Sequence, residues 1–144
     1  MKYSIFLLFL FYSVMASSQD WQEDYNVALE QAEEQHKPLI LVFSGSDWCA
    51  PCIRLDKEIW QSENFKKFSK ENYILYRADF PRKKANKLSP ELTDQNNKLA
   101  ANFNSKGYFP LVVVLNEKEQ VLGETGYKKL SPDEYISLLN SFLK

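Results

Sequence analysis

The chain has 144 residues, of which 44% are hydrophobic and 15% aromatic, with a formal net charge of −1. That length and apolar content suit one globular domain with a sizeable core, and argue against a disordered chain or a two-domain one. The near-neutral balance, with no basic stripe interleaved with aromatics, excludes nucleic acid as a partner class.

At the N-terminus, Lys2 precedes the apolar run Ile5 to Val14, and the small residues Ala16, Ser17 and Ser18 come before the first acid, Asp20. This order predicts a secretory signal peptide over 1–18, leaving 19–144 as the single domain. The apolar run is shorter than the roughly 20 residues of a membrane-spanning helix. Removal of 1–18 takes away Lys2 and moves the formal charge from −1 to −2.

Trp21, Tyr25, Ala28, Leu29 and Ala32 recur at helical spacing and predict an amphipathic first helix, stopped at Lys37-Pro38. Leu39 to Phe43 is a continuous apolar run of strand length, as in a strand covered on both faces. Ser44 to Asp47 turns the chain into Trp48-Cys49-Ala50-Pro51-Cys52 and a helix through about Trp60, followed by a helical piece near Phe65 to Lys70. A second central strand is predicted over Tyr73 to Phe80, then a basic loop from Pro81 to Leu88. Ser89-Pro90 opens a helix that runs to Phe103, with Ser as cap and Pro in the first turn. Leu111 to Leu115 and Gln120 to Glu124 read as a hairpin around Asn116 to Glu119. Ser131-Pro132-Asp133-Glu134 fits a capping box that opens a last helix with Tyr135, Leu138, Leu139 and Phe142 on its inner face. The fold class is therefore α/β: a central mixed sheet of four to five strands flanked by helices.

The only two cysteines, Cys49 and Cys52, are separated by two residues at a strand-to-helix junction. So small a loop restricts the unfolded chain too little to act as a structural staple, so the pair reads as reactive. His36 is the sole histidine, and no set of ligands clusters with it or with the cysteines; neither zinc nor copper is expected, and no cofactor is needed.

Trp48-Cys49-Ala50-Pro51-Cys52 after an apolar strand, and Tyr108-Phe109-Pro110 before a Val-rich strand, resemble the active-site motif and cis-proline loop of the thioredoxin superfamily. The likeness spans Trp21 to Lys144, and within that superfamily the chain is similar to exported thioredoxin-like thiol-disulfide oxidoreductases. It implies a thioredoxin-like fold, Cys49 as the attacking sulfur and Cys52 as the more enclosed resolving one. A thiolate at a helix N-terminus is favoured by the free N–H groups there, which is the physical basis of the first role. It also implies that Trp48, Phe109 and Pro110 border the bound substrate, with Pro110 in cis. Where thioredoxins hold a buried Asp six residues before the first cysteine, this chain has Phe43. Asp56, four residues after Cys52 on the same helical face, either substitutes as proton acceptor or is a solvated acid complementing the helix dipole. Arg82, Lys83, Lys84 and Lys87 either steer acidic partners or form a solvated surface.

The function these residues imply is thiol-disulfide exchange with exported proteins, as a monomeric protein-disulfide reductase in the periplasm served by a membrane or exported electron donor. Ala50-Pro51 lacks the His that oxidants and isomerases of this superfamily place between the cysteines, so reduction is the expected direction. The other readings are a disulfide oxidase or isomerase, and a redox-inert module that binds peptides beside Pro110.

Overall fold

A computed structural model describes residues 20–144. The signal peptide expected over 1–18 lies outside the described residues. In chain order the elements are β1 (Trp21–Gln22), α1 (Tyr25–Gln35), β2 (Leu39–Ser44), α2 (Ala50–Leu55), α3 (Glu63–Asn72), β3 (Ile74–Asp79), α4 (Pro90–Phe103), β4 (Leu111–Leu115), β5 (Val121–Thr125) and α5 (Pro132–Ser141). A π-helical turn, Asp56–Trp60, extends α2, and a single 3-10 turn, Lys84–Asn86, lies in the basic loop.

The sheet has five strands in the order β1-β3-β2-β4-β5. β3 pairs in parallel with β1 and β2, while β4 runs antiparallel to both β2 and β5, so the sheet is mixed as the sequence predicts. β2 and β4 are central and buried at every position, which explains their unbroken apolar runs. Their alternation divides the core. Leu39, Leu41, Phe43, Tyr76 and Val113 face one side with Tyr25 and Leu99 from α1 and α4. Ile40, Val42, Val112 and Val114 face the other, against Leu55, Ile59, Trp60, Phe65, Tyr135 and Leu139. β5 is an edge strand, and Val121 and Leu122 on it are exposed.

Two helix starts follow the sequence signals. Ser89 caps α4 and Ser131 caps α5, each with Pro in the first turn, and Ser131 and Glu134 complete the capping box. Ser62 caps α3. One assignment is corrected: Trp21 belongs to no helix. Asp24 caps α1 by accepting from the Asn26 and Val27 N–H groups, and Trp21 instead pairs with Leu75 in the sheet while its ring meets Trp60 edge-on at 6.0 Å. The Trp21–Tyr25 spacing imitates a helical face, but the cap between them sets the boundary. Among the described residues, no helix is long and apolar enough to cross a membrane.

Candidate active site

The site begins where β2 ends. Ser44 closes the strand, and the turn through Gly45 brings Cys49 to the N-cap of α2, where its backbone is extended (φ −91°, ψ 102°). The Cys49 sulfur accepts the Cys52 N–H at 3.3 Å, and Pro51, with no N–H to offer, occupies the first turn. The two cysteines are joined in a disulfide, with Cα atoms 5.2 Å apart. Cys52 was expected to be the more enclosed, but in the bonded state the residues are 4% and 3% exposed. The bond holds both sulfurs in one recess, and the asymmetry between them is that Cys49 is the capping acceptor.

Trp48 is fixed on several sides. Its indole N–H donates to the Phe80 carbonyl at 2.7 Å, its ring meets Phe109 edge-on at 5.5 Å, and the Arg82 guanidinium lies 3.8 Å from its centre. Phe80 also meets Phe109 edge-on, at 5.5 Å. Phe109 is joined to the buried Pro110 by a cis peptide bond. Tyr108, beside them, is 57% exposed. Trp48, Phe109 and Pro110 thus share one neighbourhood next to the cysteines.

Gly45 permits this arrangement, because a Cβ there would overlap the Trp48 indole. With the ring held by Arg82, Phe109 and Phe80, it has little room to withdraw. Gly45→Ala is expected to cost about 1–3 kcal/mol as overpacking and to slow reaction at Cys49. Denaturant unfolding and disulfide-exchange rates check it; unchanged values for both would show that Trp48 moves freely.

Asp47 organises the basic loop, a role invisible in its immediate sequence. Its carboxylate accepts from the Arg82 N–H (2.9 Å), the Lys83 N–H (3.0 Å) and the Asn86 side chain (2.9 Å). Ser46 adds a second tether, its N–H donating to Asp79 at 2.9 Å and its hydroxyl to the same carboxylate. The Arg82 N–H first, and then the Asn86 amide, hold the Asp47 carboxyl below the usual carboxylate range. A depressed folded value means the docking is complete above the ordinary range, near about 3.9, and is lost as pH falls through the lower folded value. Hydrogen exchange should therefore show the Arg82 and Lys83 amides protected at neutral pH and open in acid, and less protected at neutral pH in Asp47→Asn. Equal protection in the native protein and the variant would contradict this.

Asp56, whose backbone N–H donates to the Cys52 carbonyl, has both carboxylate oxygens engaged by side chains. One oxygen accepts from Arg77 at 2.6 Å and the other from Gln61 at 3.4 Å, and Arg77 also stacks over Trp21 at 4.5 Å. Its surroundings are an ion pair to β3, which neither sequence reading of Asp56 included. Phe43 is fully buried in the core. Sequence reasoning also missed Asn104, a buried residue that holds the Tyr108 backbone from both sides: its amide donates to the Tyr108 carbonyl (2.8 Å) and its oxygen accepts the Tyr108 N–H (2.9 Å). Its signal was an Asn at a helix C-terminus three residues before Gly107, whose φ is +69°. Among the described residues, no cluster of His, Cys, Asp and Glu could hold a metal ion.

Comparison with known proteins follows the same lines. A family model described as thioredoxin-like matches residues 20–117. The chain is similar to a Chlamydia pneumoniae protein named disulfide bond reductase DsbH, with 34% identity over 131 residues, 91% of this chain and 76% of that protein. It is similar also to the thioredoxin-related protein DsbJ of Chlamydia pneumoniae, with 27% identity over 74% of this chain and 30% of that protein. A solved DsbH oxidoreductase superposes with a TM-score of 0.81 at 32% identity, covering 88% of this chain and 85% of the other. The reduced C-terminal domain of Neisseria meningitidis DsbD shares the fold, with a TM-score of 0.54 at 22% identity over 81% and 91% of the two chains.

Proposed function

The chain belongs to the thioredoxin-like family and is a thiol-disulfide oxidoreductase whose exchanging pair is Cys49–Cys52, and from that premise we propose that it works as a reductant of disulfides in exported proteins. The observation that carries the reading is the bonded Cys49–Cys52 pair at the start of α2, with the Cys49 sulfur as capping acceptor.

In the reduced protein the Cys49 thiolate attacks one sulfur of a substrate disulfide. The substrate S–S bond breaks, one substrate thiol leaves, and Cys49 is left in a mixed disulfide. Cys52 then attacks the Cys49 sulfur, the second substrate thiol leaves, and the Cys49–Cys52 bond forms. Two electrons pass to the substrate, and the two protons of the dithiol end on its two thiols. The backbone N–H groups at the helix start favour the attacking thiolate. Trp48, Phe109 and Pro110 border the bound segment. Asp56 has a structural part, tying the end of α2 to Arg77; resolution of a Cys49 mixed disulfide in Asp56→Asn should proceed at the native rate within about threefold, and a larger fall would make Asp56 the proton acceptor.

Direction rests on what surrounds Cys49. Among the described residues, the Cys52 N–H alone donates a hydrogen bond to its sulfur, and His36 sits at the far end of α1 as its left-handed cap. With no histidine between the cysteines to add to the support of the helix-start N–H groups, the thiolate gains less than one that has such a donor, which favours giving electrons away. The similar Chlamydia pneumoniae protein is named a reductase, which supports the same direction. Equilibration with glutathione should give a potential near about −270 mV, whereas a value near about −120 mV would make the protein an oxidant.

The charged-apolar-small order of residues 1–18 supports export across the inner membrane to the periplasm; the protein acts there as a monomer, with a membrane or exported dithiol protein as its electron donor. N-terminal sequencing of the protein recovered from its host should begin at Gln19; recovery with Lys2 still present would contradict cleavage.

A further inference from the structure

The four cations of the loop after β3 need an account that the exchange chemistry does not supply. Arg82, Lys83, Lys84 and Lys87 are all exposed, and among the described residues none of them takes part in an ion pair. They face two nearby carboxylates, Asp47 and Asp79, whose oxygens are occupied by the Arg82 and Lys83 N–H groups, Asn86 and Ser46. Positive charge is thus concentrated here in a chain whose formal total is −1.

Its position is fixed as well. Asp47 bonds the loop's backbone two residues before Cys49, and Arg82 rests 3.8 Å above the ring of Trp48, the residue that precedes Cys49. Arg82 therefore lies against the residue that adjoins the attacking sulfur, and Lys83, Lys84 and Lys87 follow it along the docked loop. A substrate segment advances by roughly 3.3 Å per residue when extended, so side chains a few positions from its cysteine come within reach of the loop. Trp48 and Phe109 form an apolar surface there, with Arg82 stacked on it and the exposed lysines next in the chain.

We propose that the Arg82–Lys87 loop is a specificity edge that selects protein disulfides flanked by acidic residues. The inference rests on the exchange reading above and adds the chemistry of the preferred partner. Opposite charge at such an edge acts mainly by speeding encounter, and it weakens as salt screens it.

The test uses the reduced full-length protein, three disulfide-linked peptides whose flanks are acidic, neutral or basic, and hydroxyethyl disulfide as an uncharged small substrate. At low ionic strength the acidic peptide should react about tenfold faster than the neutral one, and the basic peptide should be the slowest. The preference should shrink as salt is raised. A Lys83→Gln/Lys84→Gln/Lys87→Gln variant, which leaves Arg82 on Trp48, should lose most of the preference, and the corresponding triple change to Glu should reverse it. Equal rates on acidic and neutral peptides, or a preference that survives both variants, overturns the inference while leaving exchange intact. Failure to reduce hydroxyethyl disulfide as well as the peptides would instead overturn the exchange reading on which it stands.

Discussion

Cys52→Ser is expected to accumulate covalent complexes with its substrates, and Cys49→Ser to form none. With Ser at 52 the attack by Cys49 still occurs, but no second sulfur is present to release the mixed disulfide. With Ser at 49 the nucleophile itself is gone: a hydroxyl is barely ionised at neutral pH, so turnover should fall by about 10³-fold or more. The geometry supports this division of labour. Cys49 occupies the cap position and receives the Cys52 N–H, while Cys52 sits inside the first turn of α2. Non-reducing gels after mixing with a disulfide-bonded protein read both variants. Stable adducts in Cys49→Ser and none in Cys52→Ser would exchange the two roles.

Trp60→Ala should be among the most destabilising single changes in the chain. Trp60 is 1% exposed at the end of the π-helical turn, and its ring packs against Phe65 at 4.6 Å, Tyr135 at 5.5 Å and Trp21 at 6.0 Å. It therefore joins the extension of α2 to α3, α5 and the edge strand β1. Truncation removes a large buried surface and leaves a cavity that three rings cannot close, for a loss of about 3–5 kcal/mol. Against a total of about 5–15 kcal/mol for a typical domain, that is a large share. Urea unfolding should show a lowered midpoint with little change in slope. The site should feel the change too, since the same helix presents both cysteines. A loss below about 1 kcal/mol would mean that the surrounding rings collapse into the space.

What the sequence revealed and what it hid divide along the range of the interactions involved. β2 and β4 were readable because burial on both faces leaves a mark at every position, and α4 and α5 because Ser-Pro caps act within one turn. The cysteine pair was readable for the same reason, its chemistry lying within four residues. Trp21 was misread because a two-residue edge strand has no periodicity of its own, and its pairing partner Leu75 is distant in the chain. Helical spacing puts Asp56 one turn from Cys52, and its backbone N–H does bond the Cys52 carbonyl, but such spacing shows only same-helix neighbours; the ion-pair partner of its carboxylate, Arg77, comes from β3. Asp47 passed as a turn residue, yet it bonds Arg82 and Lys83 across more than thirty positions and sets the loop beside the site. Gly45 likewise read as part of a turn, whereas the space it leaves is filled by an indole.

The most direct test of the account is reduction of insulin by the native protein with dithiothreitol supplying electrons. Cys49 and Cys52 should make insulin's B chain precipitate well ahead of dithiothreitol alone, with Cys49→Ser at the background rate. A native protein that gives no acceleration would show that the pair does not exchange with protein disulfides, and the central claim would be wrong.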